Sequence, residues 1–170
     1  LASFKELAST GQPLALDNYQ RAYVWTNEKI IQLLDDFHEC IADPSSTQSR
    51  IGDSSSNELP QYYMGTLLLH KKEGKVRTKH FVIDGQQRLT TLSVLYWLLH
   101  NHLPSFVDFS FRSSRSLVNI QQAKQTMQNW FEEHEVIHQN FINIFDQLRF
   151  TVITVNREDL AFTFFDTQNN

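Results

Sequence analysis

The chain has 170 residues, 41% hydrophobic and 20% charged, which suits one domain with a core of its own. A net charge of −4 excludes a protein that grips duplex DNA through a broadly basic face, so any nucleic-acid contact has to be local. Cys40 is the single cysteine, which excludes an internal disulfide and any multi-cysteine zinc site and favours a reducing compartment such as the cytoplasm. No apolar run is long enough to cross a bilayer, so no membrane partner is expected.

Phe4 to Leu7 reads as a short helical entry, and Pro13 to Leu16 as an extended segment closed by the turn signal Asp17-Asn18. Thr26 is placed to cap a helix running to about Ala42, with Ile30, Leu34, Phe37 and Ile41 as its apolar stripe. The Ser-rich stretch from Asp43 to Glu58 is expected to be a flexible loop. Tyr62 to His70 and Arg77 to Asp84 read as two strands of a hairpin. A helix after Gly85 carries Leu89, Leu92, Leu95, Leu98 and Leu99 and ends near His102-Leu-Pro104. Phe106 to Phe111 suggests a short strand, and helices are expected over Leu117 to Phe131 and Glu135 to Phe145. Phe150 to Val155 is a β-branched strand, and Arg157 to Asp166 begins a last helix. Hairpin strands mixed with several helices predict an α+β domain, a single unit over residues 1–170. The start at Leu1 rather than Met, and an end at Asn170 without a helix stop signal, read as an N-terminal fragment of a longer chain.

Two segments carry chemistry. In the first, the strand Phe81-Val-Ile83 delivers Asp84 to its carboxyl end and Gly85 turns the chain into a helix. The free N–H groups of that helix start suit an anion. Arg88, one turn in, could add bidentate contacts to a phosphate. Asp84 would repel a bare phosphate, so its functional role is to hold Mg²⁺ or to orient a water. Simple capping competes with this, since Asp84 followed by Gln87 fits a capping box, but it leaves Gln86, Arg88, Thr90 and Thr91 unexplained. In the second segment, Tyr19, Arg21, Tyr23 and Trp25 share one face of an extended run, with Gln20, Ala22 and Val24 on the other. An arginine among aromatics could stack a base and grip a phosphate, or the same residues could form an amphipathic rim closing the core.

Taken in order, Tyr19 to Trp25, Tyr63-Met-Gly-Thr66 and Val82 to Thr91 resemble a bacterial family. It is the ParB/sulfiredoxin-like N-terminal domain of GmrSD-type modification-dependent restriction enzymes and related phage-defence proteins. Phe164 to Asn169 resembles the start of its third motif, a Phe–Asn–Arg–Gly box, and the resemblance covers nearly the whole chain. It implies a mixed sheet with a hairpin and several packed helices. It also implies binding and hydrolysis of a nucleoside triphosphate with Mg²⁺ or another divalent cation, without a Walker motif. The expected partners are DNA, possibly modified, and a C-terminal HNH-type nuclease domain in the same or a partner chain. Asp84, Gly85, Gln86, Gln87 and Arg88 would form the catalytic motif, with Asp84 as the metal ligand. Tyr19, Gln20, Arg21, Tyr23, Trp25, Thr90 and Asn169 would contact nucleotide or DNA. Ala22 stands where the family often has proline, and the chain stops before the arginine and glycine of the third motif. A non-catalytic module that recognises modified DNA is the alternative from another class.

Two further patterns read as coincidences. His134-Glu-Val-Ile-His138 spells the H-E-x-x-H of zinc proteases, but its flanks Glu132, Glu133 and Gln139 mark an exposed, charged segment. His100-Asn-His102 spells HNH without the dispersed ββα geometry that such a nuclease requires. Cys40 reads as core.

Overall fold

A long strand is the axis of the domain, and its neighbours explain where the site lies. The computed structural model describes residues 2–7, 13–16, 22–42, 50–51, 61–73, 78–108 and 114–156. In chain order the described elements are strands β1 (Ala2–Ser3) and β2 (Leu14–Ala15), helix α1 (Asn27–Ala42), strands β3 (Arg50–Ile51), β4 (Gln61–Glu73) and β5 (Thr78–Asp84), helix α2 (Gln86–His100), strand β6 (Val107–Asp108), helix α3 (Ser114–Glu133) and strand β7 (Leu148–Val155). One mixed sheet runs β1-β7-β4-β5-β2-β6, with β3 also on β4. β4 pairs antiparallel with β5 as the predicted hairpin and parallel with β7. The α+β expectation holds.

The helices take one face of the sheet. Ile30, Leu34 and Phe37 of α1, Leu89, Leu92 and Leu95 of α2, and Ile120, Met127 and Trp130 of α3 share one core with Leu67, Leu69 and Val82 of the sheet. α1 starts where the sequence predicts, with the Lys29 N–H donating to Thr26 Oγ1 at 3.3 Å. α2 is buried on almost every side, down to Thr90, Thr91 and Ser93, as expected of a central helix rather than an amphipathic surface one. Cys40 is fully buried and its thiol reaches Gln147 Oε1 at 3.5 Å, a core role. The opposite face of the sheet carries a small cluster of Leu68 and Ile83, against which Ile153 and Val155 pack.

Two expectations change. The stretch from Asp43 to Glu58 is not loop throughout, because Arg50 and Ile51 pair with Tyr62 and Gln61; its other residues lie outside the described ones, as do those of the expected helix from Arg157 to Asp166. The expected helix from Glu135 to Phe145 is replaced by 3-10 turns at His138–Asn140 and Ile142–Asp146. The cause is the end of α3. Glu135 takes a φ of 53°, the Val136 N–H donates back to Phe131 O and the Glu135 N–H to Glu132 O. That is a Schellman ending with glutamate in the place that glycine usually holds. His134 and His138 therefore do not sit on successive turns of one helix, and both are exposed. His134 stacks on Trp130 and His138 lies over Phe131. Among the described residues no three histidine, cysteine or carboxylate side chains group as metal ligands.

Candidate active site

β3 and β5 occupy the same edge of β4, because Tyr62 faces Leu148 of β7 on one side and Arg50 of β3 on the other. β3 covers Gln61 and Tyr62, and β5 covers Leu68 to Glu73. The intervening edge of β4 has no strand partner among the described residues, and α2 begins beside this notch. Arg88 fills part of it. Its Nη1 donates to Met64 O and its Nη2 to Thr66 O, each at 2.8 Å, so a guanidinium stands in for a missing strand. Gly65, between those carbonyls, takes a φ of 102°, and a methyl group there would overlap Arg88 Nη1.

Two irregularities in the register turn polar side chains to one face. From Tyr63 to Thr66 β4 takes three steps while β7 takes two, from Arg149 to Thr151. The extra residue is a bulge, and it brings Tyr63 and Thr66 to the face of Thr151. From Leu68 to Leu69, β5 steps two residues, Asp84 to Val82, and this sets Asp84 on the side of Leu68, away from the helical core. Tyr63, Thr66, Thr151, Asp84, Gln87 and Arg88 are all half-buried, which makes the notch a polar concavity rather than a flat surface.

The motif residues divide by role. Gly85, with φ 97°, occupies the cap position of α2, and no side chain caps the helix. The capping-box alternative is thereby set aside: Asp84 ends the strand and Gln87 bonds elsewhere. The Asp84 side chain has no hydrogen bond or ion pair with a described residue. Gln86 is buried and donates from Nε2 to Val82 O at 2.6 Å. Gln87 accepts the Val24 N–H at Oε1, 2.9 Å, and donates to Ala22 O at 3.3 Å. The end of the second chemical segment, at Ala22 and Val24, is thus docked on the start of α2.

Tyr23 departs from the expected role. It is 1% exposed, its N–H donates to Ser116 Oγ and its carbonyl accepts from Asn119 Nδ2. Thr91 Oγ1 donates to Gln87 O, so the Tyr23 hydroxyl, 2.8 Å away, donates to Thr91. Burial pushes the phenol up to about 12. With no face open to a base, Tyr23 is a core anchor that ties the segment to α2 and α3. Thr90 is also buried, and Trp25 packs half-buried against the core. Tyr19, Gln20, Arg21 and Asn169 lie outside the described residues.

Tyr63, Thr66 and Thr151 had no assigned role in the sequence reading. Hydrogen bonds with Thr151 and then Thr66, together with the Arg88 charge, hold the Tyr63 phenol below the usual tyrosine range against the opposing effect of partial burial. The available signal was Gly65, since an isolated glycine inside a strand pattern marks a bulge or a close approach. Among known families, the model described as the GmrSD restriction endonuclease N-terminal domain matches residues 4–170. No curated protein matches the chain.

Proposed function

The chain belongs to the family of the GmrSD restriction endonuclease N-terminal domain, and from that premise we propose that it binds and hydrolyses a nucleoside triphosphate at the β4–β5–α2 notch and so governs a DNA-cleaving domain carried elsewhere. The observation that carries this reading is the pairing of a helix start without a side-chain cap with a carboxylate, that of Asp84, which no described residue pairs with. The N–H groups at the start of a helix favour phosphate oxygens. Asp84 supplies the acid that a divalent cation needs, and Mg²⁺ commonly uses one or two protein carboxylates and takes its other ligands from water and substrate phosphates. When bound, the cation would neutralise charge on the phosphate oxygens, while the backbone fixed by Gly85 and Gln86 orients them. Modified DNA, in this reading, is what the whole enzyme senses, and the nucleotide is its switch.

Phosphate release over a panel of nucleoside triphosphates, with and without Mg²⁺, tests the proposal. Turnover of at least one of them is expected, together with a raised unfolding temperature. Asp84→Asn should lower turnover by about a hundred-fold or more, on the scale of losing a principal electrostatic group, and leave nucleotide affinity within a few-fold. If no nucleotide is bound or turned over, while DNA is bound, the domain is a DNA-recognition module and the proposal is wrong.

A further inference from the structure

Three hydroxyls meet on the open face of the sheet beside the notch, and none belongs to the strand–turn–helix motif. The Tyr63 and Thr151 hydroxyls lie 2.8 Å apart, and the register sets Thr66 on the same face. This meeting is built by the β4 bulge, because without the extra residue Tyr63 and Thr66 would point to opposite faces. A phenolic oxygen has two lone pairs and one proton. With Thr151 donating to one lone pair, the phenol proton is left for a ligand.

We infer that Tyr63 is a phosphate-positioning residue, whose phenol donates to a phosphoryl oxygen held at the start of α2, with Thr151 fixing its direction. The inference rests on the phosphate-binding reading of this notch and adds to it a wall opposite the helix. The charged groups around the phenol are Arg88 from α2, Arg149, paired with Tyr63 across β7, and Asp84 at the end of β5. Arg149 is already committed through Nη1 to Asp146 O and Leu148 O. A phenol acidified by two hydroxyls and a nearby guanidinium is a strong donor while protonated and repels phosphate once ionised.

The test titrates tripolyphosphate, a set of nucleoside triphosphates and a duplex oligonucleotide, all with Mg²⁺, into the wild type, Tyr63→Phe, Thr151→Val and Thr151→Ser. Tyr63→Phe should weaken polyphosphate and nucleotide binding by about ten-fold or more, the worth of one hydrogen bond to a charged group, with little change in unfolding midpoint. Thr151→Ser should bind as the wild type does, and Thr151→Val should fall between. Wild-type affinity should fall as pH rises through the phenol titration, below the ordinary tyrosine range, and Tyr63→Phe should lack that limb. Unchanged binding by Tyr63→Phe overturns the inference and leaves the nucleotide reading standing. A response confined to the oligonucleotide supports the phosphate contact and overturns the nucleotide as its source. A wild type that binds none of the three ligands overturns both.

Discussion

Gly65→Ala tests whether the notch is held together by Arg88. Alanine at a φ of 102° is strained, by roughly 1–2 kcal/mol for a residue pushed into left-handed space. The added methyl also overlaps Arg88 Nη1. That group is the far end of a flexible side chain, so it can swing aside, and the overlap itself is cheap. The larger loss is what the guanidinium leaves behind, namely Met64 O and Thr66 O without their 2.8 Å donors. Unpaired carbonyls at a half-buried edge cost about 1–3 kcal/mol, so the substitution should destabilise the protein by about 2–5 kcal/mol in all, a large share of a typical total of about 5–15 kcal/mol. Urea unfolding of the wild type, Gly65→Ala, Arg88→Ala and the double variant measures it. Because the single changes break the same contact, the double should cost less than their sum by about 1–2 kcal/mol, within the usual coupling range. A Gly65→Ala variant within about 0.5 kcal/mol of the wild type, the scatter of ordinary surface changes, or strictly additive costs, would refute the clamp.

Two further predictions concern the scaffold. The Tyr23 phenol, held up at about 12 by burial, keeps its proton after the unfolded chain has lost it. Its contribution is therefore present below the unfolded value near 10 and lost as pH rises through 12, about 2–3 kcal/mol over that window. Tyr23→Phe should cost about 1 kcal/mol at neutral pH for the lost bond to Thr91 and flatten the alkaline decline; chemical unfolding at several pH values shows whether the slope persists. Glu135→Gly should raise stability by about 0.5–1 kcal/mol, since glycine relieves the left-handed φ that ends α3, and a lower thermal midpoint would contradict that account.

Much of the architecture was legible because local signals agreed with one another. Thr26 caps α1, the leucines of α2 are buried, and β4 and β5 pair where two apolar runs are joined by Lys72-Glu-Gly-Lys75. The end of α3 was not legible, because a left-handed ending on glutamate has no compositional mark, and its two backbone bonds depend on Val136 docking on the core. The site was legible as a sequence of polar residues but not as a division of labour. Whether Gln87 caps a helix or holds a neighbouring segment depends on Val24 arriving beside it, which is a tertiary fact. Likewise, Tyr63 and Thr151 are 88 positions apart, and only a one-residue bulge brings them to one face.

That division changes what the polar motif is for. Gln86 spends its amide on Val82 O, Gln87 on Val24 and Ala22, and Arg88 on both sides of Gly65. Met64 O and Thr66 O lie on the stretch of β4 that neither β3 nor β5 covers, so Arg88 completes main-chain hydrogen bonding there, while Gln86 and Gln87 tie the start of α2 to β5 and to the segment at Ala22 and Val24. A continuous strand along β4 would satisfy Met64 O and Thr66 O without Arg88. The interruption leaves the Asp84 side chain, which no described residue pairs with, beside the start of α2, and the polar side chains offset its cost. On this argument, losing Gln87 or Arg88 should perturb stability and ligand binding together, whereas losing Asp84 or the Tyr63 hydroxyl should perturb ligand chemistry with the fold intact. The two classes of variant separate the frame of the site from its reactive groups.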